Sequence, residues 1–257
     1  MIGLIIIIAI IIYGIKLYIS RQKHIRDFEM PGNTQQLLLD NVTFYRHLST
    51  EQKLVFENRI KDFLQHVTIT GVGTTVEDID RILIASGAII PIFAFAGWRY
   101  NNISEVLLYK GSFDTEYNTE GDGRNILGMV GDGAMHRQMI LSQASVRASF
   151  QNAGDGHNTV IHEFVHLIDK ADGSVDGIPE YLLSHPYMLP WINNMHETIK
   201  AMKENESPDI NFYGATNNAE FFAVVSEYFF ERPAELKTHH PQLYDLLQKM
   251  FHPRATT

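Results

Sequence analysis

The chain reads as an α+β protein, predominantly helical with a small sheet, preceded by one N-terminal transmembrane helix. Three observations carry that reading. Helical periodicity dominates the second half of the chain, from about residue 157 onward. Two short β-prone segments bounded by Gly and Asn interrupt the first half. The first 15 residues carry no charge, and nine of them are Ile.

A length of 257 residues with 45% hydrophobic and 20% charged positions fits a globular protein with a sizeable core and excludes disordered and fibrous classes. There is no cysteine, so disulfides, thiolate metal sites and a Cys nucleophile are excluded; any metal must rest on His and carboxylate. The formal charge of −9, from 21 Lys+Arg against 30 Asp+Glu, argues against a nucleic-acid surface.

At the N-terminus, the first 19 residues reach about 28 Å along a helix, close to the ~30 Å of a bilayer core, with Lys16, the one charge among them, able to snorkel. No basic stretch precedes this run and no small-residue cleavage site follows it, so an uncleaved anchor is expected. Arg21, Lys23 and Arg26 follow the span, which places the N-terminus outside and the remainder in the cytoplasm. The expected domains are an anchor at 1–20, a basic juxtamembrane segment and linker at 21–46 interrupted by Pro31-Gly32, a folded domain at 47–252 and a tail at 253–257.

Ser49 followed by Gln52 has capping-box spacing, and Leu54, Phe56, Ile60, Phe63, Leu64 and Val67 recur at helical intervals, predicting a helix over 50–66 that ends near Gly71 and Gly73. Thr75 with Asp78 three residues on opens a second helix through Ile82 and Leu83, followed by a buried stretch from Pro91 to Trp98. Residues 104–109 and 138–145 are strand candidates, and 110–135, rich in Gly and Asp, are expected to form a long loop. Helices follow at 157–170, about 187–204, 217–231 and 240–251. The pairs Phe221-Phe222 and Phe229-Phe230 are expected in the core, and His157, His185, His196, His239 and His240 mostly in solvent.

The chemistry concentrates at His162-Glu163-Phe164-Val165-His166. Residues i and i+4 share a helix face, so both imidazoles can converge on one metal ion while Glu163 projects beside them toward a bound water. Zinc suits such a site, and a catalytic zinc needs a third protein ligand and one open position. Two sources are available. Asp172 lies six residues after His166, although Asp169 stands where a turn Gly would assist it; Glu220 and Glu227, seven apart on one helix face among Phe and Val, are the other.

The segment from Asp155-Gly156-His157-Asn158 through His162-Glu163-Phe164-Val165-His166-Leu167-Ile168-Asp169, with Ala219-Glu220-Phe221-Phe222-Ala223-Val224-Val225-Ser226-Glu227-Tyr228-Phe229-Phe230, resembles the Mlc titration factor A family, zinc-dependent peptidases of the gluzincin type. The likeness extends more loosely over roughly 47–252, including Leu48-Ser49-Thr50-Glu51-Gln52 and the Leu107-Leu108-Tyr109 and Ile140-Leu141-Ser142 strands. It implies a zincin-like fold with one catalytic Zn²⁺ held by His162, His166 and Glu220, with Glu227 behind them. Glu163 would be the general base and then the acid toward the leaving amine. Tyr213, seven residues before Glu220, is the best donor for a developing oxyanion. Asp169 could accept a proton from a ligand imidazole and fix its tautomer. The Ile140-Leu141-Ser142 strand could pair with an extended substrate. The expectation is a metallopeptidase anchored in a bacterial inner membrane and facing the cytoplasm, with aminopeptidase-like cleavage as one form. Its partners would be a peptide or protein substrate and the membrane, with no direct nucleic acid. The alternative is a regulatory binding protein that sequesters a partner such as a transcriptional repressor. Gln143 stands where relatives often carry a tryptophan after the Leu-Ser strand.

Overall fold

Ser49 caps the helix over Thr50–His66 as its spacing predicts, but the computed structural model shows the folded domain beginning before it. The structure describes residues 29–114, 126–131, 137–152, 154–183, 185–204, 207 and 209–252. The candidate span, the basic cluster after it and the 253–257 tail lie outside these. Among the described residues no helix is long and apolar enough to cross a membrane.

Residues 34–46, expected to be linker, form two short helices, α1 (Thr34–Asn41) and α2 (Thr43–Arg46). Their Leu38, Val42 and Tyr45 are fully buried, so the domain starts no later than Thr34. The Pro31-Gly32 break is the turn before α1: the Thr34 amide and hydroxyl both donate to the Pro31 carbonyl. Helix α3 (Thr50–His66) has the expected bounds, with Ser49 Oγ accepting from the Gln52 amide and the Gln52 side chain accepting from the Ser49 amide. It buries Phe56, Ile60, Phe63 and Leu64.

Strand β1 (Thr68–Val72) follows at once, and Gly71, read as a break, lies inside it. Helix α4 (Asp78–Ile89) is capped by Glu77, not Thr75, through a bond of 2.9 Å from the Glu77 amide to Asp80 Oδ2. Strands β2 (Glu105–Tyr109), β3 (Gly128–Val130) and β4 (Gln138–Ser142) complete a sheet of order β1-β2-β4-β3. The first three in that order are parallel; β3 runs antiparallel to β4, with Gly128 opposite Leu141. Strand β3 lies within the stretch expected to be loop. The strand expected over 138–145 stops at Ser142, because the Ser142 hydroxyl accepts from the Ser145 amide and starts helix α5 (Gln143–Gln151).

Helix α6 (Thr159–Asp169) packs against α4, β3 and helix α8 (Asn218–Glu231). Gly87 of α4 permits the close approach, since a Cβ there would stand 2.4 Å from Val160 Cγ1. Helix α7 (His185–Lys203) places Trp191, fully buried, edge-on to Phe222 of α8 at 5.7 Å. Phe221, Phe222 and Phe229 are core residues, as expected, whereas Phe230 is only partly buried and packs against the core from its edge. Each of the three core rings contributes about 2–3 kcal/mol through burial. The chain ends in α9 (Pro233–His239) and α10 (Pro241–Phe251), each with Pro in the first turn where its missing N–H costs nothing. Helix α9 has too short a pattern to stand out in the sequence.

Candidate metal centre

Asn158 begins the site. Its side-chain oxygen accepts from the Ile161 amide at 3.0 Å and starts α6, whose Val160, Ile161, Phe164, Val165, Leu167 and Ile168 enter the core. That burial turns His162 and His166 to the other face, where their side chains retain 13% and 14% exposure. Asn217 caps α8 in the same way, accepting from the Glu220 amide at 2.9 Å and setting Glu220 in the first turn.

The three side chains meet. His162 Nε2 lies 3.0 Å from Glu220 Oε2, His166 Nε2 is 3.1 Å from His162 Nε2, and His166 Nε2 is 3.4 Å from Glu220 Oε2. Among the described residues this is the only group of donors placed to share an ion. Tetrahedral ligands about 2.0–2.1 Å from zinc stand ~3.3 Å apart, so the spacing fits that ion. The donor set fits it too: two imidazole nitrogens and one carboxylate leave room for a fourth position.

Behind this cluster, Glu227 Oε1 stands 2.7 Å from His162 Nδ1, and Glu227 Oε2 accepts from the Asn158 amide at 2.6 Å. That bond directs the Nε2 lone pair toward the cluster. Burial alone would depress His162, but its bonds to Glu220 and Glu227 and the fields of Glu227 and Glu163 push it up to about 10. Burial would raise Glu220, yet its contacts with His162 and His166 hold it well below the usual carboxylate range. The surroundings therefore favour positive charge at the point where the three donors meet.

Glu163 is buried, and burial raises its pKa against the lowering fields of His162 and His166. It lies on the backbone of β3: a Cβ on Gly128 would fall 2.6 Å from both Glu163 Cγ and Oε1. Tyr213 sits in a short turn, Phe212–Ala215, that Asn211 caps, and its ring lies 6.1 Å from that of His162. It is half exposed, and partial burial followed by the field of Glu220 raises its pKa. The phenol is thus a neutral donor at the rim.

The alternative third ligand and one expected hydrogen bond are not found in this geometry. Asp172 is engaged by its own loop, accepting from the amides of Ser174 and Glu180, and does not join the cluster. Asp169 makes no hydrogen bond to a ligand imidazole: Oδ2 accepts from the Gly177 amide at 2.9 Å, and Oδ1 is buried without a partner. Burial pushes its pKa up to about 6. Its role is to hold the loop beneath α6 to the Gly177 turn, whose carbonyl accepts from the Trp191 indole. The carboxylate that orients an imidazole is Glu227.

The cluster opens onto a cleft of about 740 Å³ bounded by Gly128, Met129, Val130, Lys170, Asp176 and Tyr213 together with the start of α8. The substrate-pairing strand expected at Ile140-Leu141-Ser142 is paired on both sides, by β2 and β3. The strand at the cleft is β3, which ends the sheet. Of the other histidines, His157, His185, His196 and His239 are exposed, whereas His240 is half-buried and bonded to Asp209 at 2.9 Å. Sequence reasoning missed Asn158 as a cap, Gly128 and Glu231; the four-residue step from Glu227 was the signal for the last.

Comparison with known proteins agrees with this geometry. The model of a family described as glucose-regulated metallo-peptidase M90 matches residues 17–252. An uncharacterized protein of Synechocystis sp. is 32% identical over 243 residues, covering 90% of this chain and 87% of that protein. The Mlc titration factor A of Pectobacterium atrosepticum is 29% identical over 189 residues, 68% of each chain. That of Escherichia fergusonii is 27% identical over 213 residues, 77% of each. The match over nearly the whole chain, with both site helices inside it, places the protein in the Mlc titration factor A family of M90 metallo-peptidases.

Proposed function

We propose that the chain hydrolyses peptide bonds with one zinc ion held by His162, His166 and Glu220. The observation that carries this is the convergence of those three donors within 3.0–3.4 Å beside a buried carboxylate, Glu163, that opens on the same cleft. Zinc bound there supplies a water acidified to a pKa of about 7 and polarises the scissile carbonyl.

The residues of the chain do the rest. Glu163 takes the proton of the attacking water and returns it to the leaving amine, and its raised pKa brings it nearer the range in which both transfers proceed. Tyr213 donates to the carbonyl oxygen as charge develops. Glu227 keeps His162 in the tautomer that presents Nε2. Strand β3, whose outer edge is paired by no strand among the described residues, offers that edge to an extended peptide lying along the cleft.

The 1–19 segment, apolar apart from Lys16, supports a single-pass anchor in a bacterial inner membrane, with the domain on the cytoplasmic side. Fractionation of cells with protease added from either side tests both points. The names of the relatives support a second reading, in which the same fold sequesters a transcriptional regulator.

The decisive test is cleavage of a fluorogenic peptide and amino-acid-amide library by the zinc-loaded full chain in detergent, beside Glu163→Gln and Glu220→Ala. Cleavage lost in the first variant with zinc retained, and zinc affinity lowered in the second, supports the peptidase. A folded, zinc-replete wild type that cleaves nothing moves the assignment to the binding reading.

A further inference from the structure

Helix α8 carries a third carboxylate that points at the site helix without touching the metal cluster. Glu220, Glu227 and Glu231 are spaced by seven and four residues, so they share one face of α8. Glu220 meets the imidazoles and Glu227 the back of His162. Glu231 reaches past both. Its Oε2 accepts from the amides of Gly154 and Gly156, at 3.3 and 3.2 Å, and its Oε1 accepts from Asn158 Nδ2 at 3.0 Å.

Those three donors lie in the loop that leads into α6, and both glycines take positive φ, +102° at Gly154 and +85° at Gly156. With Asp155 between them donating its amide to the Asn152 carbonyl, the two glycine amides are both turned toward the one carboxylate oxygen. Asn158 is the junction. Its side-chain oxygen caps α6, its amide binds Glu227, its side-chain nitrogen binds Glu231, and His162 follows one turn later with its own amide on the Asn158 carbonyl. A shift of the loop therefore moves the helix end from which His162 and Glu163 project.

We propose that Glu231 is a positioning residue for the metal centre, a latch that fixes the 154–158 loop and thereby the register of α6 against α8. This rests on the zinc-peptidase reading of the same site. It goes beyond that reading in giving a role to a residue outside the ligand set, acting through Asn158.

Burial brings Glu231 up to about 7, against the opposing bonds from Asn158 and Gly154. Asp155 faces it from the loop, Arg232 follows it at the end of α8, and His47 and His252 border the same groove. Protonation removes one acceptor position and so loosens the loop amides. Replacement by Gln keeps one carbonyl oxygen for the glycine amides but sets an amide nitrogen against Asn158 Nδ2, whose partner oxygen is committed to the cap.

The test compares wild type, Glu231→Gln and Glu231→Ala as full-length chains in three measurements: zinc dissociation constant by chelator competition, kcat and KM across pH 5.5–8.5, and unfolding midpoint. The latch predicts zinc affinity about tenfold weaker in Glu231→Ala and less reduced in Glu231→Gln. Zinc binding is itself weakened in acid as the ligands take up protons, so the latch also predicts that the acid-side fall in affinity and kcat around pH 7 is steeper in the wild type than in Glu231→Gln, with KM unchanged. Zinc affinity and pH profile matching wild type in a folded Glu231→Gln would overturn the latch and leave the peptidase reading intact. A zinc-replete wild type without hydrolysis, its affinity still sensitive to Glu231, would overturn the peptidase reading and leave the latch.

Discussion

Two buried carboxylates, Asp80 and Glu163, lie on neighbouring helices and have opposite surroundings. Asp80 on α4 is fully buried, and the scaffold saturates it: Arg147 donates from Nε and Nη2, Gln143 from Nε2 and Glu77 from its amide. Glu163 on α6 is almost as deeply buried, yet among the described residues no donor is recorded for its carboxylate. The first acid is satisfied by its own fold and is structural. The second is left with its hydrogen-bonding capacity open toward a cleft, an arrangement that costs folding energy and is retained where something from outside is bound or reacts.

Exchanging each acid should separate the two roles. Glu163→Gln is expected to lower kcat about 10³-fold, with zinc content and unfolding midpoint near wild type, measured by peptide cleavage and metal analysis. Asp80→Ala should do the reverse. It leaves Arg147 and the α4 cap without their partner, lowering stability by about 3 kcal/mol in denaturant titrations, while kcat per folded molecule stays within about twofold. Equal losses of kcat in the two variants would erase the distinction.

A finer test leaves both acids in place. Gly128→Ala introduces a methyl at 2.6 Å from Glu163 Oε1, so Glu163 must move; kcat should fall about tenfold with little change in zinc affinity. The smallest effect concerns Glu231, which in the folded chain holds its proton up to about 7, against an ordinary 4.5. Between those values the folded state binds more protons than the unfolded one, so Glu231 lowers stability as pH rises through the window. Unfolding midpoints of wild type and Glu231→Gln should diverge from pH 5 to 7, with wild type losing more.

The sequence revealed the site better than the frame around it. His162, Glu163 and His166 follow from a local rule, since i,i+4 spacing on a helix fixes their geometry before any packing is known. Glu220 and Glu227 stood out because carboxylates among Phe and Val demand partners. Asp169 misled because proximity along a helix says nothing of where the chain turns afterward; here the Gly177 amide claims it. Strand β3 has three residues, too few to show a period, and α5 starts with no residue between it and β4. Helices α1 and α2 were hidden by Pro31-Gly32, a break in pattern that is the turn opening α1.

The sheet's terminal strand also limits what can enter the cleft. With β4 already paired to β2, the backbone groups open to a newcomer beside Glu163 belong to the short run Gly128–Val130. Such an edge bonds only to chain that is already extended. A helix, or an inner strand already paired on both sides, keeps its amides and carbonyls for itself and has nothing to exchange with that edge. Backbone conformation, before any side chain, sets what such an edge can pair with: a segment in extended form, whether a terminus, a linker or another domain's own exposed edge strand.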